Sequence, residues 1–593
     1  MVRAALAAIL ILGTGGIVGK AAATLVFEDG FEGGPVQTVN DVVTSEADAS
    51  RFLSYATFGP TMDEITALNG SSSSAWFLQQ QGLTPSSYLD YVFAALQEPG
   101  ATDGSGQPTF QGRRTPNHAF WELTITGPDQ LRQRMAFALS QILVVSNAMN
   151  TQLFDWPTAV GYYQDVLMTH ALGNYRDLLE AVTYAPAMGS YLTYLQNTKG
   201  DEASGRVPDE NYAREIMQLF TIGLVALNPD GSPILQNGQP VELYDNSDVT
   251  GLARVFTGLS LDSNVFFFGF NELNSGALFR PMKIFPDFHS PLEKSFLGTT
   301  IPAGTGAAQS IDTALDLLVD HPNTPPFLAR QLIQRFVASN PPPAYVARVA
   351  QAFSSGRFVL PNGSETGDGR RGDLAATLAA VLFDPEARNV PETPDQAGKL
   401  REPVLRFTQW ARAFRVAGVE PTAIPVLDFT GATEDLAQAP FQSPSVFNFY
   451  RPAFVAPGTL SGAEGLTMPE LQIVNANSVF GYSNFMGYFI SGQAARDSAS
   501  GGAAAFEPNY SVEQALAGDP ATLLNRLDLL LNHGATSAVT RQRIIAFVES
   551  LPLTQPSDPG YDGPLERVAA AIQMLMTSPD YLVLKAEENT DAP

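Results

Sequence analysis

The sequence predicts a mainly α-helical protein, with one large multi-helix domain and one or two small β-hairpins. Apolar residues recur at helical spacing through most of the chain after residue 49, and capping residues and prolines stand where these segments begin. Strand and helix patterns do not alternate, which argues against a nucleotide-binding parallel sheet. The hydrophobic fraction of 45% is that of a globular protein and excludes disorder as the main state.

The first 23 residues have the three parts of a secretory signal peptide. Arg3 is followed by an apolar run at residues 4–18 and then by three alanines that end at Ala23. We expect cleavage near Ala23 and export to the periplasm or the extracellular space, with an uncleaved anchor as the alternative. No later run approaches the length of a transmembrane helix, so no integral membrane segment is expected after cleavage.

Composition divides the rest of the chain into three parts. Residues 24–48 are rich in glycine and acidic residues, and we expect them to form a disordered linker. Residues 49–584 are expected to form a single large helical domain, in which a sub-boundary near residues 390–400 is left open. Residues 585–593 are expected to be a disordered tail.

Charge and cysteine content exclude several classes of partner and cofactor. The net charge is −26, and an anion of this size is repelled by nucleic acid and by anionic membranes. The absence of cysteine excludes disulfides, thiol nucleophiles and thiolate metal sites. The sequence has no phosphate-cradling loop, haem motif, nucleophile elbow, His-Glu-x-x-His or calcium loop, so it indicates no cofactor.

The segment from Pro208 to Leu224 is predicted to be a central, largely buried helix. Asp209 can cap its first turn, and its apolar residues at helical spacing form one stripe. The other side carries short polar groups, several of them one turn apart: Glu210, Asn211, Arg214, Glu215 and Gln218. We interpret this polar side as facing either a cleft or a buried network of ion pairs.

Other patterns place the remaining elements. Two turn signals, at residues 228–231 and 237–238, predict a small hairpin over residues 228–241. Residues 264–298 are irregular and aromatic, which indicates a functional excursion. Further helices are predicted as two between residues 117 and 146, one that begins at 247 or 248, and others at 162–170, 174–183, 311–320, 325–339, 344–353, 373–383, 403–414, 520–533, 541–549 and 565–577.

Eight stretches, taken in order, resemble a bacterial family that is defined by domain of unknown function 1800. They lie at residues 133–140, 173–179, 208–223, 253–258, 321–324, 384–388, 399–403 and 444–450. The resemblance covers residues 51–584 and implies an exported, mostly helical protein. It also implies a second exported protein, encoded nearby, as a candidate partner. Leu259 stands where the family usually has tryptophan, and Ser290 where it often has aspartate. If that aspartate is a ligand or a base in the family, its absence here weakens a role for His289.

The candidate site residues are polar groups that could act together once the chain folds. The candidate catalytic residues are Glu215, Glu210, Asp209, His321 and His289. The candidates for ligand binding or for a structural network are Asn211, Arg214, Arg254, Arg134, Lys294 and Arg401. Asp245 and Asp248 are metal candidates, although Asp248 also suits a helix cap. We assign a structural role to Arg214 and a functional role to Glu215.

Two classes of function remain open on this sequence. One is a non-catalytic binding or structural protein of the cell envelope or of secretion, which is favoured because no catalytic signature is present. The alternative is an exported hydrolase or lyase that acts on an envelope or extracellular polymer through carboxylates, with or without a metal. A cleft that holds Glu210, Glu215 and a histidine would favour the enzyme, and a closed ion-pair core the binding protein.

Overall fold

Helices make up most of the structure, which confirms the predicted fold class. The computed structural model describes residues 39–585 except 202, 270–272, 274–275, 390, 392–395, 500–501, 503, 556 and 558–559. The α-helices of the first half are Glu46–Ala56, Met62–Leu68, Ser73–Gln81, Tyr88–Ala95, Thr115–Thr126, Gln130–Ser140, Thr151–Phe154, Pro157–His170, Tyr175–Thr183, Pro186–Tyr191, Asn211–Glu215 and Asn246–Ala253.

The second half contains longer helices, several of which begin at a proline in the first turn. They are Ala307–Asp320, Thr324–Phe336, Pro343–Ser355, Leu374–Leu382, Pro385–Arg388, Pro403–Ala413, Leu460–Ala463, Ala476–Ile490, Gln493–Ala499, Ser511–Leu516, Pro520–Asn532, Ala538–Ser550, Gly563–Met576 and Pro579–Leu582. None of the helices within the described ranges is long and apolar enough to cross a membrane.

Strands occur as short antiparallel pairs, of which the described residues contain five. The predicted hairpin is present, since Leu235–Gln236 pairs with Gln239–Pro240 around the positive-φ residues Asn237 and Gly238. The other pairs are Leu259–Ser260 with Lys283–Ile284, Lys294–Phe296 with Thr299–Ile301, Phe358–Val359 with Glu365–Thr366, and Lys399–Leu400 with Val583–Leu584.

Ordered packing begins earlier than the composition predicts. Val43 is fully buried, and the helix Glu46–Ala56 begins at a Ser45 cap, so residues 39–48 belong to the folded region and not to the predicted linker. The described residues from Val39 onward form one compact unit. The proposed signal peptide at residues 1–23 and the tail after residue 585 lie outside the described residues.

The central helix (Asn211–Thr221) is buried as predicted, but its bounds and its form differ from the prediction. It begins at Asn211 and changes after Glu215 into a π-helical segment, Ile216–Thr221. The ring of Tyr212 stacks on Tyr194, with 4.1 Å between the ring centroids, and fixes the helix against its neighbours. A π-turn re-aims side chains relative to a regular helix and is frequent at functional sites.

Candidate functional site

Glu215 is a buried acid on the central helix. Its exposed fraction is 7%, and its Oε2 atom has no hydrogen-bond partner in the described part of the chain. Burial raises the pKa of Glu215 from 4.5 to about 6, against an opposing effect of Arg214. Burial, with a smaller contribution from the charge of Glu215, also raises the pKa of Tyr191 and Tyr244 to about 12. An unpaired carboxyl that titrates near neutrality has the properties of a general acid or base.

Glu210 and Arg214 lie at the surface, one turn apart. Their ion pair has an N–O distance of 3.4 Å, and the Arg214 side chain is 41% exposed. Glu210 also accepts a hydrogen bond of 2.8 Å from the hydroxyl of Thr250, on the helix that follows. Arg214 is therefore not part of a buried ion-pair network with Glu215: its long side chain reaches solvent and donates a hydrogen bond to Asn246, 3.5 Å away.

Asp209 and Asn211 position the start of the central helix. The Asp209 carboxylate accepts hydrogen bonds from the Asn211 amide, at 2.9 Å, and from the Thr193 hydroxyl, at 3.0 Å. The Asp209 amide donates to the side chain of Asn197 at 2.9 Å, and Asn211 reaches Thr193 at 3.4 Å. These bonds satisfy the amides that a helix leaves free at its beginning, which is a structural role.

Replacing Glu215 by glutamine is expected to stabilise the protein at neutral pH. An acid whose pKa is raised by folding lowers the free energy of unfolding. This loss is absent below the acid's unfolded pKa and is largest above its folded pKa. Because the pKa rises from 4.5 to about 6, Glu215→Gln should increase the free energy of unfolding by about 2 kcal/mol relative to the wild type above pH 6. Below about pH 4.5 the two proteins should be equally stable. Denaturant titrations across this pH range measure the gain.

Arg214→Ala is the companion variant to Glu215→Gln. Since Arg214 makes a half-exposed pair, its loss should change the free energy of unfolding by about 0.5 kcal/mol or less. A large loss in Glu215→Gln would show that this carboxylate is bound into the structure, and would remove it as a site residue.

Arg134 belongs to a buried ionic cluster that contains no residue of the central helix. We call this cluster, formed by Arg134, Arg335, Lys399, Glu402 and Glu470, the charge core; every member is at most 2% exposed. Lys399 Nζ lies 2.5 Å from a carboxylate oxygen of Glu470 and 3.4 Å from one of Glu402. The guanidinium of Arg134 donates to the carbonyl of Arg335 and stacks 4.7 Å from the ring centroid of Phe336.

Glu402 is the central anion of the charge core. Its Oε2 atom accepts hydrogen bonds from Gln141, at 2.7 Å, and from Gln438, at 2.9 Å. Burial opposes ionisation, but Lys399 and then Arg134 lower the pKa of Glu402 to about 2. The carboxylate is thus charged and enclosed, and neither Arg134 nor its partners contact Glu215 in the described residues. The charge core is a buried network between helices, in which Arg134 and Arg335 each keep two guanidinium nitrogens without a hydrogen-bond partner among the described residues.

Arg401 is a second buried arginine with structural partners. Its guanidinium donates to Gln409 at 2.7 Å and to the carbonyl of Leu531 at 3.1 Å, and lies 4.5 Å from the centroid of the Tyr581 ring. It joins the helix Pro403–Ala413 to the helix Pro520–Asn532. We assign Arg401 to packing of the carboxyl-terminal helices.

His321 ends a helix and shapes a turn. Its Nδ1 atom accepts a hydrogen bond of 3.1 Å from the Asn323 amide, and its carbonyl accepts one of 3.0 Å from Arg371. Asn323 in turn donates to the carbonyls of Ile222, at 2.9 Å, and Val225, at 2.7 Å, beyond the end of the central helix. Burial and then Arg371 lower the pKa of His321, so the ring is a neutral acceptor in this turn.

Three basic groups lie near one another. His289 and Lys294 belong to the irregular segment at residues 264–298, and Arg254 follows the helix Asn246–Ala253. His289 Nδ1 lies 3.0 Å from the carbonyl of Thr257, and because a carbonyl only accepts, Nδ1 carries the proton. Burial and then Lys294 lower the pKa of His289, and burial and then Arg254 lower the pKa of Lys294. Lys294 is fully buried and forms no ion pair in the described residues.

Asp245 and Asp248 cap a helix and do not form a metal site together. Asp245 accepts from the amide of Ser247 at 2.7 Å, and Asp248 accepts from the amides of Asp245, at 3.0 Å, and Leu297, at 2.7 Å. These bonds form a capping box. Among the residues that the structure describes, no group of three or more His, Cys, Asp and Glu side chains could hold a metal ion.

A polar cavity of about 390 Å³ has walls that include none of these residues. Its walls come from four separate helices and two connecting segments: Tyr55, Arg330, Val337, Ala338, Asn340, Pro341–Pro343, Tyr345, Glu386, Pro391, and Gln396–Gly398. Sequence reasoning missed this cavity because no motif marks it. One signal was available: Arg330 has no acid three or four residues away on its helix, and three consecutive prolines stand at residues 341–343, after the end of that helix.

The fold and the site geometry define a helical protein with a closed ionic core and a separate polar cavity. The family described as "Protein of unknown function (DUF1800)" matches residues 51–583. The chain belongs to this family, which confirms the resemblance seen in the sequence. No curated protein and no solved structure matches the chain.

Proposed function

We propose that this chain is an exported binding protein of the cell envelope or of secretion, and not a catalyst. The observation that carries the proposal is the charge core, in which buried Lys399 is paired with the buried carboxylates of Glu402 and Glu470 and no group is open to a substrate. Hydrogen bonds in helix caps and turns likewise involve the side chains of four candidate residues: Asp209, His321, Asp245 and Asp248. We therefore expect a ligand to bind in the cavity or on the surface of the protein.

The proposed export rests on the order of positive, apolar and small residues before Ala23. A second exported protein, encoded nearby, is the macromolecular partner that we propose from the family resemblance. The net charge of −26 supports partners other than nucleic acid and anionic membranes.

One observation favours a second function, a carboxylate-dependent hydrolase or lyase that acts on an envelope or extracellular polymer. Glu215 keeps an unpaired buried oxygen, and its pKa is raised to about 6. A carboxyl of this kind could donate and accept a proton at neutral pH. Against this, no hydrogen bond joins Glu215 to His289 or His321 among the described residues. The phenols of Tyr191 and Tyr244, on which its charge acts, have a pKa of about 12 and stay protonated at neutral pH.

Binding without turnover is the expected result when the mature protein meets an envelope fraction. We expect the protein to co-sediment with insoluble envelope material and to release no soluble fragment that mass spectrometry detects. The sample is first checked for an amino terminus near Thr24, because an intact segment from Met1 to Ala23 would contradict export with cleavage. Fragment release by the wild type and not by Glu215→Gln would establish the enzyme instead.

A further inference from the structure

We propose that the 390 Å³ cavity is a binding site for a small organic carboxylate, with Arg330 as the group that holds the carboxylate. The inference rests on the proposed binding role, since it names the chemical class of one ligand. Its described lining contains no residue of the central helix and no member of the charge core.

The cavity contains hydrogen-bond donors that the protein itself does not use. Arg330 is partly buried and forms no hydrogen bond or ion pair with any described residue. The hydroxyl of Tyr55, a residue that is only 2% exposed, likewise has no hydrogen-bond partner in the described chain. Asn340 uses its Oδ1 atom to accept from Thr467, at 3.1 to 3.2 Å, which leaves its amide protons for a ligand. Buried donors without partners are costly, and a bound acceptor removes that cost.

The charge of these donors favours an anion. Burial lowers the pKa of Arg330, yet an arginine remains protonated in proteins, so the cavity wall holds a cation. Burial also raises the pKa of Tyr55, against the opposing charges of Arg51 and Arg401, so the phenol stays a donor. Those same two arginines add positive potential where the hydroxyl lies.

The charge balance selects a monoanion. Among the lining residues that the structure describes, the titratable groups charged at neutral pH are Arg330 and Glu386, whose charges sum to zero. With a bound carboxylate, the described lining and the ligand together carry a net charge of −1. With a bound phosphate dianion they would carry twice that charge in a partly desolvated space. The guanidinium also matches the two oxygens of a carboxylate with parallel hydrogen bonds.

The walls fit a ligand with a hydrocarbon body. Three prolines, Val337, Ala338 and Ala397 line the cavity beside the polar groups. A volume of about 390 Å³ lies within the range of small-molecule sites, in which apolar walls surround a few placed polar groups. The ligand class is therefore a monocarboxylate with an apolar or aromatic body.

Titration calorimetry of the full mature chain tests the site with acetate, benzoate and N-acetylphenylalanine. We expect benzoate and N-acetylphenylalanine to bind more tightly than acetate, and the neutral analogue benzamide to bind at least about tenfold more weakly than benzoate. Arg330→Gln should weaken benzoate binding by about tenfold or more, and Tyr55→Phe by a smaller factor. Arg357→Gln, which removes an exposed arginine of the hairpin at residues 358–366, is the matched control and should bind as the wild type does.

Protection of Arg330 from phenylglyoxal by benzoate, read by peptide mass mapping, tests the same contact in the wild type and does not depend on a variant. The proposal is overturned if none of the three carboxylates binds saturably, if Arg330→Gln binds benzoate as the wild type does, or if inorganic phosphate binds as tightly as benzoate. Failure of carboxylate binding with envelope co-sedimentation intact overturns this site alone. Loss of co-sedimentation with carboxylate binding intact overturns the envelope role alone.

Discussion

Glu402→Gln lowers the free energy of unfolding by about 3 to 5 kcal/mol at neutral pH, the cost of breaking a buried ion pair from one side. The substitution keeps the shape of the side chain and removes its charge. It leaves Lys399 with Glu470 as its remaining carboxylate, and Arg134 without the anion whose charge it feels most strongly. Denaturant titration of wild type and variant measures the loss.

The loss should also depend on pH. Burial acts to raise the pKa of Glu402, but Lys399, Arg134 and Arg335 outweigh it and lower the pKa from 4.5 to about 2. An acid whose pKa is lowered by folding stabilises the protein above its unfolded pKa, and this stabilisation disappears as the pH falls through the folded pKa. The difference between wild type and variant is therefore full at neutral pH and shrinks between about pH 4.5 and pH 2.

Glu365→Gln is the control for the charge effect. Glu365 pairs with Arg357 at the surface, where the two side chains are 58% and 62% exposed. Glu365→Gln should therefore lower the free energy of unfolding by about 0.5 kcal/mol or less. Equal losses in the two variants, or a difference for Glu402→Gln that does not change down to pH 2, would contradict the role given to the charge core.

Gly251→Ala is expected to destabilise the protein by about 2 to 3 kcal/mol, because it overfills a closed interface. Gly251 lies in the helix Asn246–Ala253, where a Cβ atom would stand 1.8 Å from the carbonyl oxygen of Ser295. Alanine favours a helix over glycine by about 1 kcal/mol, so the steric cost must first cancel this gain. The strand Lys294–Phe296 has to move, and with it Lys294.

Gly518→Ala separates the steric effect from the general effect of adding a methyl group. No atom lies within 4 Å of a Cβ atom at Gly518, so this variant should be as stable as the wild type or slightly more stable. Thermal unfolding of the two variants side by side gives the comparison. A Gly251→Ala protein that melts with or above the wild type would show that the helix and the strand are not in close contact.

Local patterns predicted the elements that local chemistry specifies. Turn residues located the hairpin at Leu235–Pro240, and prolines with caps located helices such as Pro403–Ala413. The helix Ala476–Ile490 was missed, because its glycines and its lack of charged residues hide the helical signal. Its stability comes from packing: Gly481 lies so close to the carbonyl of Thr433 that only glycine fits.

The candidate site was less accessible to sequence reasoning. The burial of Glu215 follows from its place on a helix with an apolar stripe, but the exposure of Arg214 depends on how the neighbouring helix lies. The partner of Arg134 in the charge core, Glu402, is far away in sequence. The cavity at Arg330 is assembled from distant segments, so no window of sequence contains its pattern.

The strand pair between Lys399–Leu400 and Val583–Leu584 has a consequence for biosynthesis. Lys399 pairs with Leu584 in register, and Ser50 of the first helix donates a hydrogen bond to the carbonyl of Leu529. The first helix and the middle of the chain therefore each bond to its carboxyl-terminal part. A ribosome that has made only the first 500 residues has supplied neither partner, and contacts so distant in sequence form slowly. The strand Lys399–Leu400 and the first helix therefore stay without these partners until the last helices have been synthesised.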